Sequence, residues 1–383
     1  MKFEIARSEL LNKLNFASRV ITSKSLISAL SGILIEADDK LYIYSTDLET
    51  SIKSSLNAKV IEKGRAVVPA RVFINVLKSF PESKVSIELN LNTNQLKVQC
   101  EKSIFNLNTF AIDEYPQFPQ IKEKIKFLID FGTFKKLVNK SIKAASTEES
   151  RTILTGVLIE VEKNPLNEEA NETSPDLSYI KMVGTDSYRL AYVEEKINYS
   201  GEPIRVVVPN KVLDNITKSD YTGKLIDINI EENQISFLMQ DDENTSTMII
   251  SRLLTGKFPE YKQLIPKDFK HNIILDKEKF LEVIKRISSI SQDNIPIKLE
   301  IKNGKMIVSM NIKEIGSSSE ELTIPYIDEE IEIAFNPNFL TDGISMIDEE
   351  KFLFSIEEPL KPILIKYTDS NSLIYLLMPI RIS

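Results

Sequence analysis

The chain carries one structural plan three times, and no other feature narrows its fold as far. "FEIARSELLNKLNFASRVI" from Phe3, "FLIDFGTFKKLVNKSIKAAS" from Phe127 and "NIILDKEKFLEVIKRISSI" from Asn272 each read as a short strand, a polar turn and a longer helix. "RAVVPARVFINVLKSF" from Arg65, "IRVVVPNKVLDNITKS" from Ile204 and "EIEIAFNPNFLTDGIS" from Glu330 each read as a β-branched strand, a Pro or Asn turn and a shorter amphipathic helix. Between these landmarks lie alternating strand pairs, for example "SGILIEADDKLYIYSTDL" and "PIKLEIKNGKMIVSMNI". The predicted class is α+β, with three tandem similar domains, each of two helices packed on antiparallel sheets. Two polar, aromatic, Pro-bearing stretches, Asp113 to Lys124 and Gly256 to Lys267, separate the repeats. The expected domains are therefore 1–120, 121–255 and 256–383.

Composition bounds the setting. At 383 residues, 42% hydrophobic and 27% charged, the chain is long enough for several cores. Its single cysteine, Cys100, forms no intramolecular disulfide, which favours a reducing compartment. Charges run through the first residues, and no run approaches the ~20 apolar residues of a membrane helix. A cytoplasmic location is expected. The stretch Glu162 to Asp176 is rich in Asn, Glu and Pro and predicts a surface loop.

A formal net charge of −8 argues against nucleic-acid binding only if the charge is evenly spread. It is not. The predicted helical segments 7–24, 70–80, 131–146, 209–219, 276–290 and 336–347 together carry +10, which leaves −18 for the rest of the chain. In the third segment Lys136, Lys140 and Lys143 recur at helical spacing opposite Phe134, Leu137, Val138 and Ala145, with no acid among them. In the first, Lys13 and Lys24 flank the apolar stripe. A basic helical surface without Trp or a zinc signature suits sequence-independent phosphate contact.

Signals for catalysis are sparse. His271 is the only histidine, and one His with one Cys makes no metal site. Gly-Lys occurs at Gly223, Gly256 and Gly304, followed by Leu, Phe and Met, so there is no phosphate-binding loop of the GK[ST] type. No cofactor or metal is expected. A carboxylate-type hydrolase using Asp186 and Arg189 stays open on composition, as does a tandem-domain structural protein with no DNA role. The stretch "VGTDSYRLAYV", Val183 to Val193, places Thr-Asp directly after a strand, as "STDLETSI", Ser45 to Ile52, does in the first repeat. A Thr-Asp pair there tightens a turn through side-chain to backbone bonds. "SYRL" needs a separate reason.

"TDLETSI", "VPARVF", "YPQFP", "GTDSYRLA", "VVVPNKVL", "GKFPEYKQLIPK", "EIAFNPNFL" and the terminal "YLLMPIRIS" follow one another in the order of the bacterial sliding clamps, the beta subunits of the replicative DNA polymerase. The chain resembles that family over its full length. The resemblance implies a non-catalytic processivity factor: two copies joined head to tail in a ring, with helices lining the hole and duplex DNA inside it. Lys24, Arg71, Lys136, Lys140, Lys143 and Lys211 would face DNA, while Glu148 stands where a family Gln contacts it. The resemblance also implies a peptide-binding groove for the replicative polymerase, the clamp loader and repair proteins. Its pocket would be Leu154, Thr185, Leu190, Pro259, Leu264, Leu376 and Met378. Its shelf would be Tyr188, Pro362, Pro379, Ile380 and Arg381, bordered by Arg189; Tyr188 stands where the family commonly has His. The homodimer would join Phe105 and Leu107 of one copy to Ile287 and Ile290 of the other.

Overall fold

A computed structural model of the chain describes residues 1–22, 27–163, 177–266, 268–291 and 295–381. Lys24 and residues 164–176 of the predicted acidic loop lie outside the described residues. The first repeat runs β1 (Lys2–Ala6), α1 (Arg7–Ala17), β2 (Gly32–Ala37), β3 (Leu41–Thr46), β4 (Thr50–Leu56), β5 (Lys59–Glu62), β6 (Gly64–Pro69), α2 (Ala70–Ser79), β7 (Lys84–Asn90), β8 (Gln95–Cys100) and β9 (Ser103–Asn108). The second runs β10 (Ile125–Asp130), α3 (Phe131–Ser141), β11 (Gly156–Lys163), β12 (Leu177–Thr185), β13 (Arg189–Asn198), β14 (Ile204–Pro209), α4 (Asn210–Thr217), β15 (Leu225–Glu231), β16 (Gln234–Gln240) and β17 (Ser246–Arg252). The third runs β18 (His271–Asp276), α5 (Lys277–Ser288), β19 (Ile297–Lys302), β20 (Lys305–Ile312), β21 (Gly316–Thr323), β22 (Ile331–Phe335), α6 (Pro337–Ser345), β23 (Lys351–Ile356), β24 (Ile363–Lys366) and β25 (Leu373–Leu377). The repeat read from sequence is thus repeated strand for strand, apart from the extra β5.

Local chemistry explains the strand-to-helix switches. Asp130 Oδ1 accepts from Thr133 N at 2.8 Å, Asp276 Oδ1 from Lys279 N at 3.0 Å, and Asn336 Oδ1 from Asn338 N at 2.9 Å, each satisfying an amide that the first helical turn leaves unpaired. Pro337 at the start of α6 gives up no helical bond. Helix α1 is shorter than expected: it ends at Ala17 and tightens into a 3₁₀ turn over Ser18–Val20.

Compactness does not follow the repeat. Residues 1–135 with 211–253 form one compact unit, and 136–210 with 254–383 form another, so the central repeat is divided between them. The first unit holds a five-stranded sheet, β5-β1-β7-β8-β9, and an eight-stranded one, β10-β15-β16-β17-β4-β3-β2-β6. Leu10 and Leu14 of α1 and Phe73 and Leu77 of α2 are buried in one cluster with Phe3, Ile33, Ile43 and Ile87. Each such side chain contributes about 1.5–3 kcal/mol on burial. Cys100 is buried there as a free thiol.

The second unit holds β14-β11-β12-β13-β25-β24-β23-β18 and a four-stranded sheet, β21-β20-β19-β22. Phe280 of α5 stacks on Phe352 at 6.3 Å and meets Phe354 edge-on. Ile287 of the same helix is buried at 3% exposure, so it is a core residue of its own chain and not the free contact expected of it. Ile290, just past the helix end, is half-buried.

The two eight-stranded sheets share one steric requirement. A Cβ at Gly32 would sit 2.8 Å from Val67 and 2.9 Å from Phe110; at Gly156 it would sit 2.7 Å from both Leu254 and Val207. At these two places the segment that leaves each repeat bonds to the edge strand of an eight-stranded sheet, with Phe110 N bonded to Val67 O of β6 and Leu254 N to Val207 O of β14. Gly156→Ala is expected to cost about 2 kcal/mol through overpacking, measured by urea denaturation; an unchanged midpoint would show that the segment at Leu254 yields freely.

Candidate functional site

The opening Thr-Asp stretch forms a closed turn between β12 and β13. Thr185 Oγ1 donates to Arg189 O at 2.7 Å, and Asp186 Oδ1 accepts from Tyr188 N and Arg189 N, both at 2.9 Å. Ser187 takes a left-handed φ of 77°. Arg189 points into the protein: its guanidinium bonds Asp186 at 2.9 Å and Asp342 at 2.6 Å and lies 3.9 Å over the Phe339 ring. Arg189 is therefore a strut and not a free donor at the rim. The same bonds occupy the Asp186 carboxylate, which removes the basis for an Asp186/Arg189 hydrolase. Among the described residues no cluster of His, Cys, Asp or Glu is placed to hold a metal.

The turn is fastened to the end of the chain. Leu190 pairs with Leu376 across β13 and β25, and Met378 N donates to Tyr188 O at 2.8 Å. Leu190 and Leu376 belong to an apolar cluster with Leu158, Val183, Val207, Phe258, Tyr261 and Leu364. Thr185 and Leu154 are also buried. Above this floor Tyr188, Leu264 and Met378 are exposed at 57%, 52% and 40%, Pro259, Pro362, Pro379 and Ile380 are partly exposed, and Arg381 is exposed. An apolar floor with an exposed, adaptable rim of Leu, Met and Tyr suits an extended peptide.

Sequence reasoning missed Phe258 and Tyr261. Tyr261 is fully buried, with its hydroxyl on Glu160 Oε2 at 2.6 Å, and Glu160 in turn pairs with Arg205. The repeated aromatic–Pro linker, "YPQF" and "FPEY", was the available signal. Beyond Tyr261 lies a cavity of about 750 Å³ lined by Tyr192, Lys262, Phe269, Leu364 and Ile374. None of the predicted groove residues lines it.

With this geometry in place, comparison with known proteins is decisive. Models of the DNA polymerase III beta subunit match the N-terminal domain over residues 1–119, the central domain over 129–260 and the C-terminal domain over 262–381. The chain belongs to this family. The beta sliding clamp of Bacillus subtilis is 31% identical over the whole of both chains. The crystal structure of the B. subtilis DNA polymerase sliding clamp superposes with a TM-score of 0.89 at 30% identity, covering both chains fully. That of Caulobacter crescentus gives 0.88 at 26%, again over both chains in full.

The basic helix residues divide into two groups. Arg71 and Lys211 are exposed and Lys143 is partly exposed. Lys136 is exposed but pairs with Glu195 at 3.2 Å. Lys140 departs from expectation. It is buried, with Nζ 2.5 Å from Asp348 and 2.7 Å from the Tyr367 hydroxyl. Lys13 is likewise buried against Asp241 at 3.2 Å, and Arg19 donates to the carbonyls of Asn215 and Lys218. Burial pushes the Lys140 ammonium below the usual lysine range. Burial also works to raise the Asp348 carboxyl, but the bonds from Lys140 and Tyr367 outweigh it and hold it below its ordinary 3.8. Lys140→Glu is expected to cost about 2 kcal/mol at pH 7, moderated because Asp348 is half exposed. A carboxyl depressed in the fold contributes stability above its unfolded pKa and loses it below, so the penalty should shrink as pH falls past about 3.9. Urea denaturation at pH 7 and pH 3.5 checks this; a penalty that grows on acidification would contradict the pairing.

Proposed function

We propose that the chain acts as a DNA sliding clamp, closing as a homodimeric ring around duplex DNA and tethering polymerase and other DNA-processing proteins through the Leu190–Met378 groove. The full-length match to all three domains of the DNA polymerase III beta subunit carries this reading. A ring holds DNA by topology, so each phosphate contact stays weak and no base is read. Arg71, Lys136, Lys143 and Lys211 are the proposed contacts; Lys140 supports its helix instead. A processivity factor needs no catalytic group of its own.

Sheet completion supports the dimer. Each eight-stranded sheet forms where β17 pairs with β4, or β25 with β13. By the repeat, β9 is the counterpart of β17 and β25, and β21 the counterpart of β4 and β13. These two strands instead end the five- and four-stranded sheets. Pairing β9 of one copy with β21 of another completes the pattern and covers two open edges. Ile104 of β9 is 51% exposed, while Phe105 leans edge-on against Phe80. Ile104→Glu, set against the acidic β21 with Glu320 and Glu321, is expected to yield folded monomers by light scattering. Persistent dimers would place the interface elsewhere.

The groove is best tested on its exposed rim, since Leu190→Ala would also cost about 2–5 kcal/mol of core stability. Leu264→Ala with Met378→Ala should weaken binding of a Gln- and Leu-containing polymerase peptide at least tenfold by fluorescence anisotropy. The variant should still be retained on nicked circular DNA and be lost when that DNA is linearised. Unchanged peptide binding would refute the groove, and failure of the wild type to be retained on the circle would refute the clamp.

A further inference from the structure

The first compact unit contains the same turn a second time. Thr46 Oγ1 bonds Thr50 O at 3.0 Å, and Asp47 Oδ1 accepts from Glu49 N and Thr50 N at 3.0 and 2.7 Å. Leu48, at the position of Ser187, has a φ of 75°. The surroundings correspond as well. Ser51 pairs with Ile250 as Leu190 pairs with Leu376, and Arg252 N donates to Glu49 O at 2.9 Å as Met378 N does to Tyr188 O. Between this turn and the segment Pro116–Pro119 lies a cleft of about 130 Å³. A neighbouring cleft of about 220 Å³ shares Thr46, Ser51, Pro116 and Gln117 with it.

We propose that this cleft is a second peptide-binding site, selective for a carboxamide side chain, Gln or Asn, on an extended segment. Ser51 and Arg252 replace the Leu and Met of the groove, so no large apolar anchor fits. Gln234 lines the cleft, and its amide oxygen is buried beneath that surface with no hydrogen-bond partner among the described residues, one side-chain rotation from an incoming group. A buried acceptor left unpaired is costly, and an incoming N–H would relieve it. At the rim Arg252 sits 3.5 Å from Glu49 and is itself 63% exposed, leaving donors for a carbonyl. Ile250, Leu48 and Pro119 offer apolar contact to a short methylene stem. A carboxamide supplies N–H, C=O and stem together. A carboxylate can accept from Arg252 but has no N–H for Gln234 Oε1 and meets Glu49, whereas an ammonium can donate to Gln234 but offers Arg252 no acceptor, so each satisfies only one side of the cleft. Leu48 is a leucine held by the turn's own hydrogen bonds in the left-handed region that favours Gly and Asn, with half its surface in solvent at the cleft, where an apolar stem can cover it.

The proposal rests on the groove reading only in taking a chain to lie along such a turn, and the two are read by separate reporters. In methyl-labelled full-length protein, Ile250 and Leu48 report this cleft, while Met378 reports the groove. Acetyl-Ala-Gln-Ala-Ala-amide is expected to give saturable shifts at Ile250 and Leu48. The Glu and Lys counterparts should bind at least about tenfold more weakly, the scale of one lost buried hydrogen bond. Gln234→Leu should cost a similar factor at this cleft while leaving the Met378 shift with acetyl-Gln-Leu-Ala-Leu-amide unchanged. Leu48→Gly, which relieves the backbone, should raise the melting temperature and still weaken the cleft. No saturable shift at Ile250 and Leu48, equal binding of the Glu peptide, or full binding by both variants would overturn the proposal. Loss of the Met378 response alone would count against the groove and leave the cleft standing.

Discussion

Antiparallel pairing between strands of different repeats is the constraint on which the rest depends. Neither β4–β3–β2–β6 nor β13–β12–β11–β14 ends where its own repeat ends; each is continued by β17 or β25. Those registers decide what meets what. Leu190 lies opposite Leu376 because β25 is seated on β13, and a slip of β25 by one residue would send Leu376 to the other face of the sheet. The backbone bond from Met378 to Tyr188 then brings the chain terminus to the Thr-Asp turn. A site drawn from residues 154 to 381 thus has Leu190 and Leu376 fixed by a sheet, which keeps that part of its floor rigid while its rim adapts.

The repeats keep their geometry and exchange their chemistry. Gly32 and Gly156 both lie against side chains of the edge strand and of the linker bonded to it, which a Cβ would strike. At the corresponding register of the third repeat Ile297 faces Phe335, where Gly32 faces Pro69 and Gly156 faces Pro209. A residue with a large side chain there leaves no comparable room for the side chain of an edge-bonded linker. Two of the three repeats therefore carry the turn, the glycine and the linker together. Their clefts differ because Leu190, Leu376 and Met378 correspond to Ser51, Ile250 and Arg252. One geometry offers an apolar floor, the other a polar one.

Charge shows the same separation of pattern from use. The helices are basic by count, yet Lys13, Arg19 and Lys140 spend their donors on Asp241, on the carbonyls that end α4, and on Asp348. Cations near helix carbonyl ends are favourable, and a buried lysine survives only with a partner. The surface field thus depends on fewer lysines than the composition suggests.

The sequence by itself determined the order of elements, the strand-to-helix switches and the Thr-Asp turns, because these follow from periodicity and from side chains bonding to backbone a few residues away. The resemblance to the sliding clamps was also legible, carried by short motifs in a fixed order. Tertiary structure alone decided that Lys140 is buried against Asp348 and Tyr367, that Ile287 is core and that Arg189 turns inward. It also decided that Phe258 and Tyr261 complete the floor of the groove. In each case the partner is far away along the chain: Asp348 lies 208 residues from Lys140, and Asp342 lies 153 residues from Arg189. Helical spacing tells which residues share a face. It does not tell which acid, ring or strand from another repeat will be packed against that face, and burial next to that partner decides whether a charge is a site or a strut.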